Sequence, residues 1–125
     1  MGLYMDIQER RLARRLKINL PVAYVKAGGE KYFGETLTKD ISSTGLRMNL
    51  NAFFPANTSF LLKLHFPEFD KIVETVARIV WCQRISFSDQ YQVGLKFHEI
   101  NTFFKKWVEE YILSKESEPP HNPQS

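Results

Sequence analysis

Two segments of the chain carry residue types suited to a charged, planar ligand. They are ERRLARRLKINLP, residues 9–21, and TKDISSTGLRM, residues 38–48. The first holds Arg11-x-x-x-Arg15, overlapped by Arg10-x-x-x-Arg14. The second holds Asp40-x-Ser42-x-x-Gly45. An arginine fork pairs bidentately with phosphate oxygens and with the O6/N7 edge of guanine. Its flat face also stacks on purine rings. Asp40 accepts hydrogen bonds, so it suits the N1–H and exocyclic amine of guanine, or it orients an arginine. Ser42 is a small donor for a phosphate or a base. Gly45 allows positive φ or a close backbone approach at the turn. Together these residues describe a receptor for a guanine nucleotide with phosphates and no metal.

Each half is weak alone. Arg-x-x-x-Arg arises in many basic segments, and Asp-x-Ser-x-x-Gly is a common turn composition, with Asp40 then an Asx-turn residue at a strand end. Charge placement adds weight. The 125 residues carry a net charge of +3, and all of it resides in residues 1–20, where four of the seven arginines fall within six positions. A duplex-binding protein spreads a basic stripe over a face, whereas one compact arginine cluster matches a small dianion. Taken by itself, the cluster reads as a solvated basic arm at least as readily as a ligand site.

The elements that must position these residues are mostly strands. Residues 18–26 alternate and are rich in β-branched side chains, and Gly28-Gly29 marks a hairpin turn. Residues 31–41 form the returning strand. Leu46, Met48 and Leu50 share one face of a half-buried strand over 45–50. Further strands are expected over 59–66, 72–85 (long enough to bend) and 91–97. From Asn101, a candidate N-cap, the period changes. Phe104, Trp107, Val108, Tyr111 and Ile112 then recur at helical spacing, an aromatic stripe read as core packing. The fold expected is a mostly β protein: a small six-stranded antiparallel barrel with one C-terminal helix. Residues 1–17 are expected to be a flexible arginine arm, 18–113 the barrel and helix, and 114–125 a disordered, proline-rich tail.

Composition excludes several classes. Hydrophobic residues make up 43% and aromatics 14%, enough for a packed core. The apolar runs are far short of the ~20 residues of a transmembrane helix, and no secretory signal is visible, so a cytoplasmic location is expected. A single cysteine, Cys82, excludes an internal disulfide or a cysteine-cluster metal site. His65, His98 and His121 lack metal-ligand spacing, no Gly-rich phosphate loop is present, and no nucleophile–base pair stands out. An enzyme is not expected, nor any cofactor.

With these residues in this order, the chain resembles the PilZ domain family, receptors for the bacterial second messenger cyclic di-GMP. The resemblance spans roughly residues 8 to 113 and includes DISSTGLRM, ARIVW (77–81) and YQVGLKF (91–97). It implies a six-stranded barrel whose arginine arm folds over the ligand. By position, Arg11 and Arg15 match the family's arginine pair, and Asp40, Ser42 and Gly45 match its second motif. A basic residue at the position of Arg10 often accompanies two mutually stacked ligand molecules in this family. Trp81 matches a strand position that flanks the ligand in some members, with a barrel aromatic as the equal alternative. The output implied is a separate protein partner in motility, pilus, adhesion or exopolysaccharide machinery. Two other functions compete: an adaptor that binds no nucleotide, and a small barrel gripping single-stranded nucleic acid. Against the second, acids balance the basic residues beyond the arm, and no DNA or RNA is expected as a partner.

Overall fold

The computed structural model describes residues 14–98 and 102–116. Arg10, Arg11 and the candidate cap Asn101 lie outside them. Seven strand segments are present: β1 (Leu16–Lys17), β2 (Pro21–Lys26), β3 (Phe33–Ile41), β4 (Gly45–Leu50), β5 (Ser59–Phe66), β6 (Lys71–Arg84) and β7 (Tyr91–Phe97). β1 and β2 both pair with β3 and act as one interrupted stave. Six antiparallel staves therefore run β3–β2–β5–β6–β7–β4, and β4 closes the barrel by pairing back onto β3. Closure leaves none of the six with an unpaired sheet edge.

The alternation seen in the sequence sorts the two faces. Phe60, Leu62, Leu64 and Phe66 of β5 point inward and are fully buried, as are Leu46 and Met48 of β4. Side chains of this size each contribute roughly 1.5–3 kcal/mol when removed from water. Helix α1 (Thr102–Glu116) covers one end of the barrel with Val108, Tyr111 and Ile112. Phe66 meets the Trp107 ring edge-on at 4.6 Å and that of Tyr111 at 5.2 Å, so the expected aromatic stripe is core.

Several boundaries differ from the sequence reading. The first stave is broken at residues 18–20 by the buried Thr38 side chain. Its hydroxyl accepts from Leu20 N–H and donates to the Ile18 carbonyl, taking the place of ladder bonds. The β2–β3 connection is longer than a tight turn. Gly28 and Gly29 adopt φ of 71° and 65°, but the strand resumes only at Phe33 after Lys26 N–H has bonded Tyr32 O. Part of the expected arm, Leu16–Lys17, is paired with Ile41 and Asp40 of β3. At the other end α1 runs three residues past 113, where Lys115 pairs with Glu68 and Glu116 with Arg14.

Candidate functional site

Two β-bulges build the site. In a regular strand Asp40 would share the interior with Thr38, two residues away. The register between β3 and β4 slips between these residues, so that Thr38 faces Met48 while Asp40 faces Arg47. The extra residue, Lys39, turns Asp40 out toward Arg47 and returns Ile41 to the core against Leu46. The same device operates in β6. Ile79 faces Leu95 inside the barrel, and Val80 is the extra residue. Trp81 is thereby swung outward onto Gly94, while Cys82 points back in. Without this slip the indole would be aimed into the core.

Asp40 is the electrostatic centre. It is only 1% exposed, and a buried carboxylate needs charged partners. Arg15 Nη1 donates to Oδ1 at 2.7 Å, and Arg47 donates to Oδ2 from Nε with Nη2 also close. One carboxylate thus holds two guanidiniums and leaves the cluster with a surplus positive charge. Both arginines keep partial access to solvent, so their remaining donors can reach a ligand.

Ser42 is engaged within its own turn. Its Oγ accepts from the backbone N–H of Thr44 and of Gly45, and the residue is buried. Gly45 does not need positive φ. A Cβ there would overlap the Leu95 carbonyl oxygen, so it serves close approach of β4 to β7. Gly94 has the same character, since a Cβ on it would collide with the Trp81 indole. The ring of Trp81 therefore lies against bare backbone and keeps 38% of its surface accessible.

These residues meet at an open groove of about 300 Å³ lined by Arg15, Gly45, Val80, Trp81, Gly94 and Lys96, with Thr44 and Leu95. The structure brings Arg15, Gly45 and Trp81 to one surface, with Asp40 behind Arg15 and Ser42 shaping the turn beneath. Four contributors escaped the sequence reading: Arg47, Val80, Gly94 and Lys96. Arg47 sits in the quoted DISSTGLRM segment, but only the strand register shows that it faces Asp40. The groove offers cationic donors, Arg15 and Lys96, together with the aromatic face of Trp81, a combination that suits an anion joined to a planar base.

The matching family profile is that of the PilZ domain, over residues 9–114. The chain belongs to the PilZ domain family. Solved PilZ-containing structures share its fold. The Bacillus subtilis inhibitor of motility MotI/DgrA superposes with a TM-score of 0.71 at 22% identity, covering 86% of this chain and 51% of MotI. Escherichia coli YcgR in complex with c-di-GMP gives 0.68 at 16% identity, covering 86% of this chain and 46% of YcgR. The isolated PilZ domain of YcgR with c-di-GMP gives 0.63 at 14% identity, covering 86% of this chain and 92% of that domain. The chain thus spans about half the length of MotI and of the longer YcgR chain. No curated protein sequence matches it. No helix among the described residues is long and apolar enough to cross a membrane.

Proposed function

We propose that this PilZ domain is a cyclic di-GMP receptor, a non-enzymatic module whose ligand-dependent surface is read by a separate protein. The observation that carries the reading is the convergence of Arg15, Gly45 and Trp81 on one groove, with Asp40 holding Arg15 at its edge. YcgR, which shares the fold, is the c-di-GMP-bound precedent.

Each residue has a distinct task in this reading. Arg15, already tethered through Nη1, presents its other donors to a phosphate or to a guanine edge. Trp81 supplies a face for a guanine ring, and Lys96 on the neighbouring strand adds positive charge. Asp40 orients Arg15 and Arg47. Ser42 and Gly45 hold the turn that lets β4 approach β7. Arg10 and Arg11, upstream of the docked Arg15, close over the ligand and supply the remaining phosphate contacts. Arg15 and β1 are seated on Asp40 and β3 without ligand. The shift toward the closed arm is limited by how much more tightly that state holds the ligand.

Isothermal titration calorimetry with cyclic di-GMP tests this, with GTP and the Arg15→Ala variant as controls. Saturable heat is expected for the wild type. Losing the Arg15 bonds, worth roughly 1.5–3 kcal/mol, weakens binding about tenfold or more. A stoichiometry of two ligands per chain assigns Arg10 to a stacked ligand pair, and one ligand removes that role. Absence of heat and of thermal stabilisation at high ligand concentration overturns the receptor reading and leaves the nucleotide-free adaptor.

A further inference from the structure

The outer face of the barrel away from the groove carries an apolar row that no described element covers. Strand register places Phe33 beside Val25, Val25 beside Leu61, and Leu61 beside Val76. This line crosses four neighbouring staves, and its members are between 37% and 65% exposed. Isolated exposed apolar side chains are ordinary, but a continuous row across four strands is the kind of surface that a partner buries.

The flanks of the row differ in charge. Along one side the register sets Glu35, Ala23, Lys63 and Glu74 in line, with Lys63 and Glu74 paired at 3.6 Å. Along the other side lie Lys31, whose ammonium sits over the Phe33 ring, and Ser59 beside Arg78. One flank is therefore net acidic and the other basic.

We propose that this face is a self-association surface, on which a second copy of the chain stacks sheet against sheet about a two-fold axis lying along the apolar row. Such an axis places each apolar residue against its own counterpart and exchanges the flanks. Glu35 then meets Lys31 of the second copy, and Glu74 meets Arg78. Lys63 falls opposite the neutral Ser59. A two-fold axis perpendicular to the row in the same plane would instead oppose acid to acid and base to base. The charge pattern selects the first arrangement.

Four strands at ~4.8 Å spacing and three rows of side chains give a footprint of about 400 Å² per copy, below that of a standard stable interface. The dimer is accordingly weak and concentration-dependent. Association through this face does not involve the nucleotide groove.

Sedimentation equilibrium of the full chain without ligand, from about 20 µM to about 1 mM, tests it. A reversible monomer–dimer equilibrium is expected. Leu61→Glu, an outward-facing change, is expected to give monomer throughout, with circular dichroism reporting an unchanged fold. Glu74→Arg weakens association at least about fivefold, by opposing two cations across the axis. Adding Arg78→Glu to Glu74→Arg recreates the pair with its signs exchanged and restores association to within about twofold. A wild type monomeric across the whole range overturns the proposal, as does a dimer indifferent to Leu61→Glu. Failure of the double exchange to restore association overturns the two-fold placement.

Discussion

The two arginines on Asp40 should answer differently to removal, because they differ in what they leave behind. Arg15 is more exposed and sits at the groove edge; without it Asp40 still has Arg47. Arg15→Ala is therefore expected to lower ligand affinity about tenfold while stability changes by less than about 1 kcal/mol. Arg47 bridges β4 to β3, and its loss leaves a buried carboxylate with one partner, Arg15, which only precedes a two-residue strand. Arg47→Ala is expected to cost about 2 kcal/mol in urea denaturation. A double-mutant cycle with Asp40→Ala should return a coupling of at least about 1 kcal/mol, and additivity would place Arg47 outside the cluster. Trp81 gives a separate residue-scale test through its neighbour. Gly94→Ala puts a methyl where the indole lies and lifts the ring from the backbone. Calorimetry should then show cyclic di-GMP binding weakened about tenfold, the range of one lost base stack, with the fold retained. Unchanged affinity would make Trp81 a barrel-surface aromatic and nothing more.

At the scale of elements, the bulges in β3 and β6 decide which side chains reach the groove. Val80→Ala alters only a half-exposed side chain and should leave stability within about 1 kcal/mol. Deleting Val80 instead removes only the extra residue: Ile79 stays opposite Leu95 and Trp81 opposite Gly94, so Trp81 keeps its outward face and Cys82 its inward one. That variant is expected to keep a cooperative urea transition and to lose less than about 3 kcal/mol, the loss reporting the bend that the bulge gives β6. Loss of the cooperative transition would show that Val80 does more than fill the bulge. This distinction also explains what was legible in the sequence. Leu46, Met48 and Leu50, or Phe60, Leu62 and Leu64, announce their faces by period two, so the staves could be read from the sequence, though not their order in the sheet. An extra residue such as Lys39 or Val80 leaves no compositional mark. Arg47 opposite Asp40, Gly94 beneath Trp81 and Lys96 across from Gly45 are consequences of pairing between distant strands. The break at Thr38 was hidden for the same reason: a threonine that replaces ladder bonds looks like any strand former. The motif residues Arg15, Asp40, Ser42 and Gly45 were legible as a group, but their division of labour was not. Ser42 and Gly45 shape the turn, whereas Arg15 faces the groove.

For the whole molecule, the barrel end opposite the charge cluster's chemistry holds a different sort of group, a buried phenol whose titration couples to folding. Tyr24 is 6% exposed, stacks on Tyr32 with ring centroids 5.8 Å apart, and contacts the edge of Phe60. Its ring passes over Gly34, where a Cβ would fall 2.6 Å from the hydroxyl oxygen. Burial, reinforced by the hydrogen bond to Tyr32 and by that ring's own negative charge on ionisation, pushes the Tyr24 phenol up from 10.0 to about 12. The neutral form is thus favoured in the folded chain relative to the unfolded one. Below pH about 10 the phenol is neutral in both states, and this contribution to stability is fully present. Between about 10 and about 12 the unfolded chain releases its proton while the folded chain does not, so folding stability falls with pH. The loss approaches about 3 kcal/mol for a shift of two units, comparable with a large part of a small domain's stability. Urea midpoints taken from pH 8 to pH 12 should therefore decline steeply above pH about 10. In Tyr24→Phe, which has no proton to release, the decline should be visibly shallower, although other tyrosines and lysines still titrate. Equal slopes for the two proteins would mean that Tyr24 ionises in the folded barrel as easily as in the unfolded chain, and that this end of the core admits water.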